Sequence, residues 1–224
     1  MASKLTGVAT GVAIFDLDGT LTFRDTFAGF IGGFLRRHPA RLWNLWPLPG
    51  ALAAYGFGGR DRGLLKSRII RAVLRGERRQ EIEGWAAQFA AQVLAYGMRR
   101  EALAVLRRHR QQGDLLVLLS ASPDLYVPEI GRRLGTDRVI CTQIRYEGDR
   151  LEGGLVTPNR RGVEKLRCLE ALRGEFPAAR FSAYGNATSD LAHLAAADSP
   201  LLVNANSRAR RQAAKLGVAV GDWR

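Results

Sequence analysis

The 224-residue chain reads as an α/β protein: a parallel sheet with helices on both faces, a helical insert directly after the first strand, and one small β-hairpin. Three observations predict this. Short apolar runs recur with helix-periodic stretches between them, and buried strands alternating with helices build a parallel sheet. Between Asp25 and about Leu94 the strand pattern disappears and apolar residues recur at helical spacing. A single stretch, Gln143 to Val156, alternates apolar and polar residues instead.

Taken in order, Val12–Leu17 is the first strand. The insert follows, with Leu64, Leu65, Ile69, Ile70, Val73 and Leu74 in helical register and a Pro- and Gly-interrupted stretch near Trp46–Gly59. Leu115–Ser120 is the next strand, and Pro123–Leu134 a helix, because proline suits a first helical turn. Val139–Cys141 is a strand, and Glu147-Gly148-Asp149 is the turn of the hairpin. Helix Val163–Leu172, strand Phe181–Tyr184, helix Ser189–Ala197, strand Leu201–Val203 and helix Arg208–Leu216 complete the alternation. Ligands of such sheets sit at the carboxyl ends of the strands. Asp16, Ser120 and Gly185-Asn186 all follow strand ends, so they can converge there.

Composition narrows the class. Hydrophobic content of 46% and charged content of 25% fit a folded globular chain rather than a disordered one. The segment Met1–Thr10 carries one Lys and lacks the apolar core of a secretory signal. Cys141 and Cys168 are far apart, fit no metal-ligand spacing, and read as reduced buried thiols of a cytoplasmic protein. Gly56, Gly58 and Gly59 follow no strand and lack dinucleotide-loop spacing. The net charge is +13, with 30 Arg and only 4 Lys. The runs Arg107-Arg108-His109-Arg110 and Arg208-Ala209-Arg210-Arg211 read as solvated helix faces, and no aromatic-interleaved basic stripe points to nucleic acid. An anionic substrate or an anionic lipid surface suits the charge better. The uncharged stretch Leu42–Gly59, with Trp43, Trp46, Tyr55 and Phe57, is too rich in Pro, Asn and Gly for a membrane span. It reads as a buried helix or loop of the insert; the competing reading is an interfacial patch with peripheral contact on an inner-membrane surface.

Chemistry is concentrated at Asp16-Leu17-Asp18-Gly19-Thr20. Side chains at i and i+2 of an extended segment point the same way, so two carboxylates leave the strand end together. They repel unless a cation or a shared proton relieves them, and a hard ion such as Mg²⁺ suits oxygen ligands and phosphate substrates. One carboxylate then suits nucleophilic attack and the other proton transfer.

This stretch resembles the first motif of the haloacid-dehalogenase-like (HAD) hydrolases, most of which are phosphatases. Three further stretches follow in family order: Leu116-Val117-Leu118-Leu119-Ser120, then Asn159-Arg160-Arg161-Gly162-Val163-Glu164-Lys165, then Tyr184-Gly185-Asn186-Ala187-Thr188-Ser189-Asp190. Ser120-Ala121-Ser122-Pro123 and the Asn-x-x-Gly-x-x-Lys spacing are most similar to the phosphoserine-phosphatase-like branch. The resemblance implies a Rossmann-like core of residues 1–24 and 95–224 and a helical cap of residues 25–94. It implies a Mg²⁺-dependent phosphomonoester hydrolase acting on a small or lipid-linked phosphomonoester through an aspartyl-phosphate. Asp16 is then the nucleophile, Asp18 the proton shuttle, and Lys165 the partner of Asp16 and of the phosphoryl group. Ser120 and Ala121 bind phosphate, assisted by a helix starting at Pro123. Asp25 either contacts substrate or caps a helix. Asp16, Asp18, Asn186 and Asp190 form the metal set, with Asp190 also an orienter of Lys165. Asn186 departs from the family pattern, which has Asp there, so one negative charge is lost. That departure keeps two alternatives open: a weakly active phosphate-binding module, or a phosphotransferase.

Overall fold

The structure, a computed structural model, describes residues 11–46 and 61–224. Eight strands are present among them: β1 (Gly11–Phe15), β2 (Leu115–Pro123), β3 (Arg138–Thr142), β4 (Ile144–Glu147), β5 (Arg150–Leu155), β6 (Arg180–Gly185), β7 (Ser199–Val203) and β8 (Ala219–Gly221). Six form one sheet in the order β3-β2-β1-β6-β7-β8, every neighbouring pair parallel. The strand order reverses at β1, which lies between β2 and β6. The chain therefore departs to opposite faces at this point and leaves a crevice beyond the carboxyl end of β1.

Side-chain alternation builds a core on each face. Ala13, Phe15, Leu116 and Leu118 join one buried cluster; Val12, Ile14, Val117 and Leu119 join the other. The second cluster is covered by α6 (Val163–Glu175), α7 (Leu191–Ala195) and α8 (Ser207–Lys215) through Leu169, Leu172, Leu194 and Ala209. The first is covered by α1 (Thr26–Arg37), α2 (Arg62–Leu74), α3 (Arg79–Tyr96), α4 (Arg100–Gln112) and α5 (Val127–Leu134). Phe30, Phe89 and Tyr126 form an aromatic knot in it, with Phe30 stacked on Tyr126 at 4.6 Å between centroids. Asp25 and Asp61 cap α1 and α2 by accepting backbone N–H groups, which fixes where the insert starts and resumes.

The antiparallel hairpin β4–β5 is fastened to the insert. Ser67 Oγ donates to Gly153 O at 2.9 Å, Arg71 pairs with Glu152, and the backbones of Arg78 and Arg150 form an isolated antiparallel β-bridge. Gly153 has a φ of +93°, and a Cβ there would lie 2.8 Å from Arg71 Cγ, so α2 packs directly on this backbone.

Three expectations need correction. Strand β1 ends at Phe15, and Leu17–Leu21 is a tight helical turn through Gly19 at φ +81°. No helix starts at Pro123: β2 runs through it, Asp124 N–H still donates to Thr142 O of β3, and α5 begins at Val127 with Pro128 in its first turn. The stretch Ser189–Ala197 is a 3-10 turn, Thr188–Asp190, followed by the short α7. The short apolar run Val218-Ala219-Val220 lies beyond the last expected helix, and β8, which overlaps it, closes the sheet edge. Pro47 to Gly59 of the tryptophan-rich stretch lies outside the described residues. No helix among the described residues is long and apolar enough to cross a membrane.

Candidate active site

A cleft of about 80 Å³ opens beyond the end of β1, lined by Asp16, Asp18, Asp25, Lys66, Ala121 and Lys165 together with Arg62, Arg161, Asn186, Ala187, Ser189 and Asp190. Two larger hollows adjoin it. One of about 610 Å³ shares Arg62, Arg161 and Ser189; one of about 540 Å³ shares Asp25 and is walled by Phe23, Phe89 and Tyr96. The reactive groups lie in the small cleft.

Asp16 is buried at the end of β1, its N–H donating to Tyr184 O at 3.0 Å. Thr20 Oγ1 donates to Asp16 Oδ2 at 2.9 Å, and Lys165 Nζ donates to Asp16 Oδ1 at 2.6 Å. The same ammonium donates to Asp190 Oδ1 at 2.8 Å, while Asp190 Oδ2 accepts from the N–H groups of Asn186 and Ala187. Asp190 is thus occupied on both oxygens in holding Lys165 and the loop after β6. Gly185 makes this possible, since a Cβ there would lie 2.7 Å from Asp190 Cβ.

One ammonium between two buried carboxylates leaves a net negative charge. Burial, aided by Asp190 and Asp18 and opposed by Lys165, raises the Asp16 carboxyl to about 7. Burial works against charge on Asp190 as well, but Lys165 outweighs it and holds Asp190 below the ordinary carboxylate range. Burial likewise opposes charge on Lys165, yet Asp16 and Asp190 together hold its proton well above the usual lysine range. The three shifts agree on one state: Lys165 charged, Asp190 ionised, and Asp16 the group poised to gain or lose a proton. Burial and then the Lys165 charge push the His193 imidazole down to about 3, so it brings no second cation.

Asp18 has a different surrounding. Its Oδ1 accepts from Thr26 N–H and Thr26 Oγ1, both at 2.6 Å, and its Oδ2 accepts from Ser122 Oγ at 2.6 Å. Tyr126 OH lies 3.0 Å from Thr26 Oγ1, so with the threonine proton given to Asp18 the tyrosine is the donor. Burial, with the nearby Asp25 charge, raises the Asp18 carboxyl above its ordinary range despite these donors.

The remaining candidates divide. Ala121 lines the cleft, and its carbonyl accepts from Lys66 Nζ at 2.7 Å and from Thr142 Oγ1 at 3.0 Å. Ser120 is fully buried; its Oγ accepts the Ser122 N–H at 3.0 Å and keeps its own proton to donate. Asp25 caps α1 through Phe27 and Ala28 N–H groups while also lining the cleft. Asn186 lines the cleft and packs on Gly19, where a Cβ would lie 2.0 Å from Asn186 Nδ2. Among the described residues no group of three or more His, Cys, Asp or Glu gathers as a metal site.

Sequence reasoning missed Lys66, Arg62, Thr26 and Tyr126. Lys66 had a visible signal: it is one of four lysines in an Arg-rich chain, and Lys66 and Lys165 both line this cleft. Burial lowers its pKa, opposed by Asp18 and Asp25. Thr26 and Tyr126 are 100 residues apart and meet only through the fold.

Fold and cleft define an α/β protein with a carboxylate-and-lysine site at the topological switch of its parallel sheet. The chain belongs to the haloacid dehalogenase-like hydrolase family, which matches residues 13–195. It is 39% identical over 186 residues to Protein CicA of Caulobacter vibrioides, covering 82% of each chain. A solved protein of unknown function from Bordetella pertussis Tohama I superposes with a TM-score of 0.78 at 23% identity, covering 95% of this chain and 98% of that one. A phospho-aspartyl intermediate analogue of phosphoserine phosphatase superposes with a TM-score of 0.65 at 13% identity, over 95% and 92% of the two chains. These structural likenesses establish the fold that the chain shares with the two proteins.

Proposed function

We propose that the protein is a phosphomonoester hydrolase working through an aspartyl-phosphate on Asp16. The observation that carries this reading is the pairing of Asp16 and Asp18 in one cleft, with Lys165 bonded to Asp16 at 2.6 Å. Asp16 attacks phosphorus in line, forming a P–O bond as the ester P–O bond breaks. Asp18 gives its proton to the leaving oxygen and later takes one from the attacking water. That water forms the new P–O bond, releasing phosphate and regenerating Asp16. Lys165 favours the ionised form of Asp16 and offsets charge on the phosphoryl oxygens, and Asp190 positions Lys165. Ser120, the Ala121 backbone and Lys66 are the phosphate contacts in this reading, and the helical segment 25–94 acts as the cap that chooses the substrate.

The donor set fits magnesium. Carboxylate and amide oxygens of a hard-cation type line the cleft; burial, with a smaller push from Asp190 and Asp18, raises Asp16 to about 7, and a divalent cation would favour its ionised form. Asp16, Asp18 and Asn186 would hold it, with Asp190 behind them through Lys165. When bound, magnesium supplies neutralisation of the carboxylate pair and of the transferring phosphoryl oxygens. The cytoplasm is the compartment this reading assigns, in line with two free buried cysteines.

The test is Mg²⁺-dependent phosphate release from a panel of phosphoserine, sugar phosphates, nucleotides and lipid phosphomonoesters, with Asp16→Asn beside the native chain. Release by the native chain that vanishes in Asp16→Asn supports hydrolysis and ranks the substrates. Silence from the native chain and from Asn186→Asp alike moves the reading to a phosphate-binding module. Asn186 is the specific observation that favours this second reading.

A further inference from the structure

Two tryptophans stand in solvent at one end of the helical insert. Trp43 and Trp46 are 81% and 84% exposed and Leu42 is 52% exposed, all on or just after the 3-10 helix Pro39–Leu45. The other two tryptophans behave as globular cores require: Trp85 is buried with its indole N–H bonded to Phe30 O, and Trp223 is buried. The exposed pair sits on a braced support. Leu45 packs against the core cluster, and Arg41 bonds Arg75 O and pairs with Glu77, tying this helix to the end of α2. Arg36 and Arg37, just before this helix in the chain, and Arg75, whose carbonyl Arg41 holds, are exposed. Glu77, the acidic side chain beside them, is neutralised by Arg41.

We propose that this aromatic tip docks the protein on an anionic lipid surface. Size argues for lipid over a folded protein. Two tryptophans present about 400 Å² of aromatic surface, whereas a stable protein partner buries about 800 Å² per side. Charge argues the same way: exposed indoles close in the chain to exposed arginines match an apolar layer under anionic headgroups. The inference is independent of the phosphatase reading. The tip and the cleft lie at opposite ends of α2, with Arg62 of the cleft at one end and Arg75 beyond the other. Thirteen helical residues separate the ends by about 20 Å, so docking leaves the cleft open to solvent.

The experiment uses the full chain with vesicles of phosphatidylcholine plus phosphatidylglycerol, beside pure phosphatidylcholine, at low and high salt. Co-sedimentation and tryptophan emission are read together. Expected results are sedimentation and a blue shift on the anionic vesicles alone, both weakened by salt. Trp43→Ala/Trp46→Ala should cut partitioning by about tenfold or more with an unchanged thermal unfolding curve. Arg36→Ser/Arg75→Ser should weaken binding while sparing the residual high-salt component. A native chain that stays in the supernatant overturns the proposal. So does equal binding to neutral vesicles, or a double tryptophan variant that binds as well as the native chain. Self-association that is lost in that variant, without vesicle binding, assigns the tip to a second copy instead and equally overturns it.

Discussion

Replacing Asp16 by Asn should flatten the pH dependence of stability. In the folded chain the Asp16 carboxyl titrates near 7, against 3.8 for an unperturbed carboxyl. A raised folded value means that the native state binds a proton the unfolded chain has already released. The associated stability is present below about pH 4 and is lost as pH rises through 7. The whole change is on the order of 4 kcal/mol, at about 1.4 kcal/mol per pH unit. Between pH 5 and pH 8 it amounts to about 2–3 kcal/mol. Asn removes the ionisation and keeps the shape: its Oδ1 can still accept from Lys165, and Thr20 can accept where it now donates. Urea denaturation without Mg²⁺ at pH 5 and pH 8 measures the effect as a difference between the two proteins, which cancels the titrating groups remote from Asp16. The native chain should lose about 2–3 kcal/mol more than Asp16→Asn across that interval. Saturating Mg²⁺ should restore part of the native chain's loss at pH 8 and little of the variant's. Parallel profiles for the two proteins would refute the charge argument made for this site, whatever the enzyme assays show.

Three other outcomes follow from the same geometry. Lys165→Met leaves Asp16 and Asp190 facing each other in the buried site, so unfolding at pH 8 should lose about 3–5 kcal/mol, and less at pH 5, where the carboxylates take up protons; chemical denaturation at both values reads this. Asn186→Asp adds a carboxylate to the cleft, so calorimetry should show Mg²⁺ affinity rising by roughly an order of magnitude, while without Mg²⁺ the acid limb of any activity moves to higher pH. Lys66→Ala removes a half-buried ammonium that reaches the Ala121 carbonyl over the cleft; KM should rise about ten- to a hundredfold with kcat less affected, and Lys66→Arg should recover part of it. A Lys66→Ala enzyme with unchanged KM would show that the insert contributes no phosphate contact.

The sheet was legible in the sequence because its strands are short apolar runs that alternate with helices, and the strand-end Asp16 and Asp18 announced the cleft. Lys165 and Asp190 came from the resemblance of their stretches to the family's third and fourth motifs. What the motifs could not supply was the division of labour. Asp190 reads like a metal ligand until its two oxygens are seen to accept from Lys165, Asn186 and Ala187. Asp18 gains its donors from Thr26 and Ser122, which come from elements 96 residues apart in the chain. The missing helix at Pro123 has a local cause: backbone pairing with β3 continues past the proline, and a ladder already formed outweighs one residue's preference for a first turn. His109 shows the same limit. It sits in a basic run that reads as a solvated face, yet it is buried between Asp114 and Tyr184 by hydrogen bonds of 2.6 and 2.7 Å.

The fastening of the β4–β5 hairpin onto α2 bears on how the chain matures at the ribosome. Ser67 and Arg71 emerge long before Gly153 and Glu152, their partners. At about 5–20 residues per second, the wait between completion of α2 and arrival of the hairpin is roughly 4–16 seconds. During that interval the side of α2 carrying Ile70, which ends up against the Gly153 backbone, is bare. Nascent chains halted before the hairpin should therefore be protease-sensitive in the insert and bind holdase chaperones, whereas chains halted just after it should be protected. A segment that looks self-contained along the sequence is in this respect finished by a piece of chain made much later.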